Sequence, residues 1–148
     1  MIDEVQECFL PSEVFFGQED SMSGIRTKSV CGQELESLCR AARFPHALVS
    51  ECKELTAFAI RNEGGEIAAV AGAQRDGKYL WQIGVDVLSE YRDKGFSVEL
   101  VRGLTAKLIK EDKLPFYGVR QGNIVSKRTA VRAGFKPAFS EVYVCKAP

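Results

Sequence analysis

The chain has 148 residues, of which 45% are hydrophobic and 27% are charged, proportions typical of a soluble globular domain. Its 20 basic and 20 acidic side chains cancel, so no net positive field favours a nucleic acid or a membrane surface as a partner. Its apolar runs are far shorter than the ~20 residues that span a bilayer. The acidic start, with Asp3, Glu4 and Glu7, is unlike a secretory signal. We therefore expect a cytoplasmic protein that binds neither nucleic acid nor membrane.

The five cysteines indicate neither a metal site nor a disulfide framework. Their number is odd, and no two of them have the C-x-x-C spacing of zinc or redox sites. Cys31 and Cys39 are two helical turns apart, which would place both on one face of a helix. We predict reduced, partly buried thiols and no bound metal, because free buried cysteines are common in cytoplasmic proteins.

The first third of the chain has the weakest pattern. Apolar residues between Phe9 and Phe16 offer a surface that could pack on the core or on a second copy, as in a homodimer. From residue 33 to residue 43 apolar residues recur at helical spacing. Phe44-Pro45 should end this helix, because the residue before a proline avoids the helical region. The pattern therefore predicts a mainly helical N-terminal part over residues 1–55.

Three short strands are predicted next, over residues 57–60, 67–74 and 79–87. Gly64-Gly65 and Asp76-Gly77 lie between them and supply the positive backbone angles that tight hairpins require. The later pattern predicts a helix over 98–111, a strand over 115–119, a helix over 124–132 stopped by Gly134, and a strand over 138–145. This order is typical of an α/β (α+β) domain with one central mixed sheet.

The junction at residues 92–97 gives the clearest functional signal. It connects a strand to a helix, and the first turn of a helix leaves backbone N–H groups without partners and carries partial positive charge. Gly95 and Ser97 are small enough for a phosphate oxygen to approach these donors, and Arg92 and Lys94 add charge. The junction indicates a pyrophosphate site; the alternative is an ordinary strand-to-helix turn that contains a glycine.

With its surroundings, this junction resembles the signature of the GNAT superfamily of acyl-CoA-dependent N-acyltransferases. In that family a strand and a Tyr-Arg pair lead through an Arg/Gln-x-x-Gly-x-Gly/Ala loop into a helix, and residues 91–97 here read Tyr-Arg-Asp-Lys-Gly-Phe-Ser. About thirty residues later the family has an asparagine, a small residue three positions on, and a closing Gly-Phe. At that spacing the chain has Asn123, Ser126, Gly134 and Phe135. The match covers residues 57–144.

The resemblance implies one domain over residues 1–148, with a mostly antiparallel mixed sheet flanked by helices. Residues 57–144 would form its acyl-CoA-binding core. It also implies acetyl-CoA as co-substrate and direct attack by a primary amine of a small molecule or peptide. The residues that it implies at the co-substrate are Val85, Asp86 and Val87 beside the pantetheine arm, Arg92, Asp93, Lys94, Gly95, Phe96, Ser97 and Val98 at the pyrophosphate, and Asn123 and Ser126 across the gap where strands 79–87 and 116–119 diverge.

Two departures from the family bear on catalysis. Ser97 stands where glycine or alanine is usual, and Ala130 stands where many members have a tyrosine that protonates the leaving thiolate. Tyr117 and Tyr143 are the candidates to replace that acid. The missing tyrosine also favours a second hypothesis, a catalytically weak or inactive acyl-CoA-binding module that acts as a sensor or interaction partner.

A general base must take a proton from the attacking amine. Asp86 is the first candidate, because it lies at the end of the strand that would hold the thioester. The alternatives are Glu90, Glu51, Glu54 and the single histidine, His46.

Overall fold

The computed structural model describes residues 2–15, 26–49 and 54–145. Within them the chain forms seven strands and three α-helices. The strands are β1 Ile2–Pro11, β2 Thr27–Val30, β3 Leu55–Arg61, β4 Ile67–Arg75, β5 Leu80–Val87, β6 Leu114–Arg120 and β7 Phe135–Val144. The helices are α1 Gly32–Ala41, α2 Phe96–Lys110 and α3 Ile124–Ala133, with 3₁₀ turns at Glu13–Phe15 and Ser89–Tyr91.

All seven strands belong to one sheet, in the order β2-β3-β4-β5-β6-β1-β7. Every neighbouring pair is antiparallel except β5 and β6, which are parallel. The predicted mixed, mostly antiparallel sheet is therefore confirmed. No helix among the described residues has both the length and the apolar character needed to cross a bilayer.

Alternation along β3 and β4 divides the buried side chains between two cores. Ile60 of β3 packs on one face of the sheet with α2 and α3, through residues such as Leu104 and Ala130. Ala57 and Ala59 point to the other face, where Cys39 of α1 lies. Because a strand has a side-chain period of two, β3 and β4 can serve both faces when they carry small apolar residues at nearly every position.

Local sequence signals set most element boundaries from β3 onwards. Gly65 (φ 83°) and Gly77 (φ 93°) form the two predicted hairpins, and Gly134 (φ 100°) ends α3. Asn123 caps the start of α3, since its side-chain oxygen accepts a hydrogen bond from the N–H of Ser126 at 3.1 Å. The predicted meander and the helix–strand–helix–strand order after it are confirmed.

The prediction of a mainly helical N-terminal part is wrong. Strand β1 lies inside the sheet between β6 and β7, and β2 forms the opposite edge. The acidic residues of β1 interrupt the apolar alternation that would have predicted a strand. In the fold they form ion pairs: Arg120 Nε lies 2.9 Å from Glu4, and Lys127 Nζ lies 2.8 Å from Glu7. Phe9 is buried in the core, whereas Phe16 lies outside the described residues.

Two further expectations about this part are corrected. Helix α1 ends at Ala41, before the predicted stop at Phe44-Pro45, because Ala42 adopts a left-handed conformation (φ 53°) that closes the helix. Cys39 is disulfide-bonded, so the prediction that all five thiols are reduced is wrong at this position.

Candidate active site

A wedge opens in the sheet between β5 and β6. The two strands pair from Leu80↔Leu114 to Ile83↔Tyr117. From Tyr117 to Arg120, β6 pairs with β1 on its other side, while β5 continues to Val87 paired with β4. A cleft of ≈ 490 Å³ occupies this wedge. The gap that the resemblance implies is therefore present in the fold.

The main chain of β5 faces the wedge at alternate residues. The N–H of Leu88 donates to the carbonyl of Ala68 on the β4 side at 3.0 Å, and in an antiparallel pair every second residue turns its polar groups to the same neighbour. Asp86 and Gly84 therefore bond towards β4, and the main-chain groups of Val85 and Val87 point towards the wedge. No strand of the described residues pairs with them. This edge can bond an amide-rich ligand as an added strand would.

The start of α2 presents backbone donors on the surface. The first hydrogen bond of the helix runs from the N–H of Glu99 to the carbonyl of Gly95 at 3.1 Å, so the N–H groups of Phe96, Ser97 and Val98 have no partner in the helix. Gly95 (φ 77°) has no atom within 4 Å of the position a Cβ would occupy. The exposed loop before it includes Arg92, Asp93 and Lys94.

This loop does not line the wedge itself. Lys94 and Phe96 border a second depression of ≈ 610 Å³, between the β3–β4 turn and the Tyr91 ring. The Lys94 Nζ lies 5.4 Å from the centre of that ring, and Tyr91 and Phe96 stack at 6.5 Å. The start of α2 and the wedge are thus adjacent along the chain, from Val87 to Phe96, but border separate depressions.

The far wall of the wedge is the start of α3. Asn123 and Ser126 both line the cleft, as the resemblance implies. The Asn123 side-chain oxygen is engaged in capping α3, which leaves its amide nitrogen to face a ligand. Tyr117 is the last residue of β6 that pairs with β5, and its hydroxyl contacts Ser126. Burial raises the pKa of Tyr117 to about 12, so its phenol keeps its proton at neutral pH.

A turn between α1 and β3 covers one face of β4 and β5. It contains His46 and Ala47, and it rests on Gly72 and Gly84, which lie opposite each other in the sheet. A Cβ on Gly72 would stand 1.9 Å from the Ala47 carbonyl oxygen, and one on Gly84 would stand 1.8 Å from that of His46. These two glycines therefore make the close approach possible.

Asp86 fixes this turn and orients its histidine. One carboxylate oxygen accepts hydrogen bonds from the N–H groups of His46 and Ala47, both at 2.8 Å. The other lies 2.6 Å from His46 Nδ1. A carboxylate only accepts, so Nδ1 carries the hydrogen, and Nε2 of a neutral imidazole holds the free lone pair. The His46 side chain is 79% exposed, the Asp86 side chain 15%.

This arrangement separates the candidate bases. Glu54 pairs with Arg75 at 2.8 Å, Glu90 contacts Ser89 on the exposed loop, and Glu51 lies outside the described residues. Asp86 has its oxygens engaged by the turn, whereas His46 lines the cleft. The sequence offered both residues as separate candidates, and only the fold brings these positions, 40 apart in the chain, into one hydrogen-bonded pair.

Tyr143, a predicted catalytic acid, lies away from the wedge. It belongs to β7, which is separated from β6 by β1. Its hydroxyl donates to Glu141 at 3.0 Å, and this bond is the main cause that raises the pKa of Tyr143 to about 12. The physical reason for the misplacement is the insertion of β1, which the sequence did not predict.

Comparison with solved structures identifies the fold. The chain is similar to a GNAT-family protein from Novosphingobium aromaticivorans, with a TM-score of 0.74 and 19% identity over 94% of this chain and 62% of that one. It is also similar to a GNAT-family acetyltransferase from Colwellia psychrerythraea, with a TM-score of 0.70 and 15% identity over 96% of this chain and 55% of that one. The chain thus spans about three fifths of these neighbours' length, and it has the GNAT fold.

A further neighbour is the aminoglycoside N-acetyltransferase AAC(6')-Iy in complex with CoA. Its TM-score is 0.61 and its identity 14%, over 82% of this chain and 99% of that one. No protein-family model matches the sequence, and no curated protein sequence matches it.

Proposed function

We propose that the protein binds acetyl-CoA, or a close acyl-CoA relative, in the wedge between β5 and β6 and transfers the acyl group to a primary amine. The observation that carries this proposal is the edge of β5 at Val85 and Val87, which β6 does not pair with and which opens at Val85 onto a cleft beside the start of α3. The N–H groups at the start of α2 provide a site for the pyrophosphate. The GNAT fold and the CoA complex of one neighbour support the same ligand.

We infer that His46 acts as the base of this reaction. Attack forms a bond between the amine nitrogen and the thioester carbon, and the carbon–sulfur bond breaks. His46 Nε2 takes the proton that the nitrogen loses, while Asp86 holds Nδ1 and stabilises the resulting imidazolium. The role first expected for Asp86 therefore passes to the histidine that it positions.

Tyr117 is the hydroxyl best placed to meet the leaving sulfur. It lies where β5 and β6 separate, beside Ser126, and its raised pKa keeps it protonated. Such a phenol donates a hydrogen bond to a thiolate more readily than it gives up its proton. Tyr117 would stabilise the leaving thiolate through this hydrogen bond, and the thiolate would take its proton from water. Position 130, a tyrosine in many members of the family, is alanine here.

A negative charge added at the start of α2 tests the proposed pyrophosphate site. Ser97→Asp adds a carboxylate within the first turn, which the helix dipole stabilises by ~0.3–1 kcal/mol but which repels a phosphate. By calorimetry, we expect acetyl-CoA affinity to fall at least about tenfold in Ser97→Asp, with unchanged or raised thermal stability. Ser97→Asn, the neutral isostere, should change affinity less than about threefold. Equal affinity in all three proteins would contradict the pyrophosphate site.

Release of free CoA thiol separates an enzyme from a binding module. We expect thiol release by the wild type to depend on an added primary amine. Binding of acetyl-CoA without amine-dependent release, across amino acids, polyamines, amino sugars and peptide amines, would favour the alternative of a module that only senses or carries acyl-CoA.

A further inference from the structure

A row of carboxamide side chains crosses the sheet on the same face as His46. Gln74 of β4 and Gln82 of β5 are direct cross-strand partners, so their side chains lie on one face. Gln6 of β1 approaches from the other side. All three line the cleft together with His46.

The row continues across β6 because that strand has Gly118 at the crossing point. A Cβ on Gly118 would lie 2.8 Å from Gln6 Oε1 and 2.9 Å from Gln82 Nε2. The two amide ends therefore converge over a position without a side chain. A larger residue there would fill the floor of the cleft and displace both.

The orientation of the Gln6 amide is set by its neighbours. Its Nε2 donates to a carboxylate oxygen of Glu4 at 3.2 Å, and the same oxygen accepts from Arg120 Nε at 2.9 Å. Gln6 Oε1 thus points the other way. It is buried and has no hydrogen-bond partner among the described residues. A buried acceptor without a donor is unfavourable, and a ligand N–H or O–H would satisfy it.

The charges and rings of the cleft narrow the ligand class. Glu4 and Arg120 neutralise each other, and Asp86 is engaged by the His46 turn. Apart from the His46 imidazole, Tyr117 carries the single aromatic ring among the described residues that line the cleft, and it is buried. The lining therefore favours neither a flat aromatic group nor a strongly charged one. Carboxamides, which both donate and accept, suit groups that do the same.

We propose that the acceptor is an amine whose remaining part carries several hydroxyl groups, and that Gln6, Gln74 and Gln82 bind those hydroxyls while the amine faces His46. This inference rests on the proposed acyl transfer and adds the substrate class. Gln6 Oε1 accepts a hydrogen bond from one hydroxyl, and Gln82 Nε2 donates to a second.

The test compares two amines on a six-membered ring, glucosamine and cyclohexylamine, by acetyl-CoA-dependent thiol release. For each protein we define the glucosamine preference as kcat/KM for glucosamine divided by kcat/KM for cyclohexylamine. Each variant's preference is then compared with that of the wild type. The two amines differ in intrinsic reactivity, but this difference is the same for every protein and cancels in the comparison. Gln6→Leu and Gln82→Leu each remove one amide and keep a similar side-chain volume. Gln33→Leu, at an exposed position of α1, makes the same chemical change outside the cleft.

We expect Gln6→Leu and Gln82→Leu to lower the glucosamine preference at least about tenfold, and Gln33→Leu to leave it unchanged. The inference alone is overturned if both amines react and the two cleft variants keep the wild-type ratio, or if the wild type acetylates other amines but not glucosamine. If no amine releases thiol from acetyl-CoA, the proposed acyl transfer fails, and the assigned acceptor class fails with it.

Discussion

At the residue scale, the His46–Asp86 contact joins a carboxylate that fixes the turn to a histidine that we propose is the base. Asp86 accepts three hydrogen bonds, two of them from backbone N–H groups. Removing its charge should therefore disturb the turn as well as the histidine. His46 makes its contact from an exposed position, and its side chain contributes little packing. The two residues can be distinguished by substitution: we expect a change at His46 to lower kcat alone, and a change at Asp86 to lower both kcat and stability.

We predict that His46→Gln lowers kcat about 100-fold, which is the lower range for loss of a general base, with acetyl-CoA affinity and stability unchanged. Asp86→Asn should lower kcat and also cost about 2 kcal/mol in the free energy of unfolding, through weakened hydrogen bonds to a charged acceptor. Steady-state kinetics and urea unfolding measure both. A His46→Gln variant with wild-type kcat would rule out His46 as the base.

At the scale of elements, the contact between the His46 turn and the sheet depends on an absence of side chains. Gly72 and Gly84 face each other across β4 and β5, and the turn's carbonyl oxygens occupy the space where their Cβ atoms would be. The meander and its hairpins were predicted from local signals. This contact was not, because a glycine inside a strand does not say which other segment approaches it.

Gly84→Ala tests this contact. The new Cβ would collide with the backbone of His46, which cannot move aside as a flexible side chain can, and we expect a loss of about 2 to 3 kcal/mol in unfolding free energy. Gly122→Ala is the control, since a Cβ at Gly122 meets no atom within 4 Å and the residue has no positive φ; it should be neutral or slightly stabilising. Equal stability of the two variants, by urea unfolding, would mean that the turn does not rest on β5.

At the scale of the whole molecule, the wedge results from the position of β1. This strand pairs with β6 from Phe9 to Gln6, over the part of β6 that has left β5. The N-terminal strand therefore completes the sheet on one side of the cleft and brings Gln6 into it. The cleft is built from segments more than a hundred residues apart in the chain, such as Glu4 and Arg120.

The thiol of Cys8 reports whether β1 is built into the sheet. Cys8 is fully buried, and burial raises its pKa to about 11, so at pH 8 the native thiol is inaccessible and protonated. We predict that N-ethylmaleimide modifies Cys8 at least about 1000-fold more slowly than the exposed Cys31, as followed by mass spectrometry, until urea unfolds the protein. Similar rates for the two thiols in the native protein would place β1 outside the sheet.

The elements that could be predicted from the sequence are those whose physical causes are local. Asp76-Gly77 closes a hairpin because glycine permits the required positive φ. Asn123 and Gly134 delimit α3 because one caps the helix and the other ends it. The turn that leads into α2 was predicted from a few consecutive residues, and its Gly95 adopts a positive φ. These features involve neighbours in the chain, so their physical causes can be read within a short window.

Contacts between residues far apart in the chain could not be predicted in this way and are known from the folded structure. His46 bonds to Asp86, and β1 lies inside the sheet despite its acidic residues. Tyr143 lies away from the wedge, and the amide ends of Gln6 and Gln82 converge over Gly118. Each of these depends on strand order and register. Strand order is fixed by the summed burial of both sheet faces, and a shift of one residue in register would turn every side chain of a strand to the opposite face. A short window of sequence gives no information about the total burial on the two faces of the sheet.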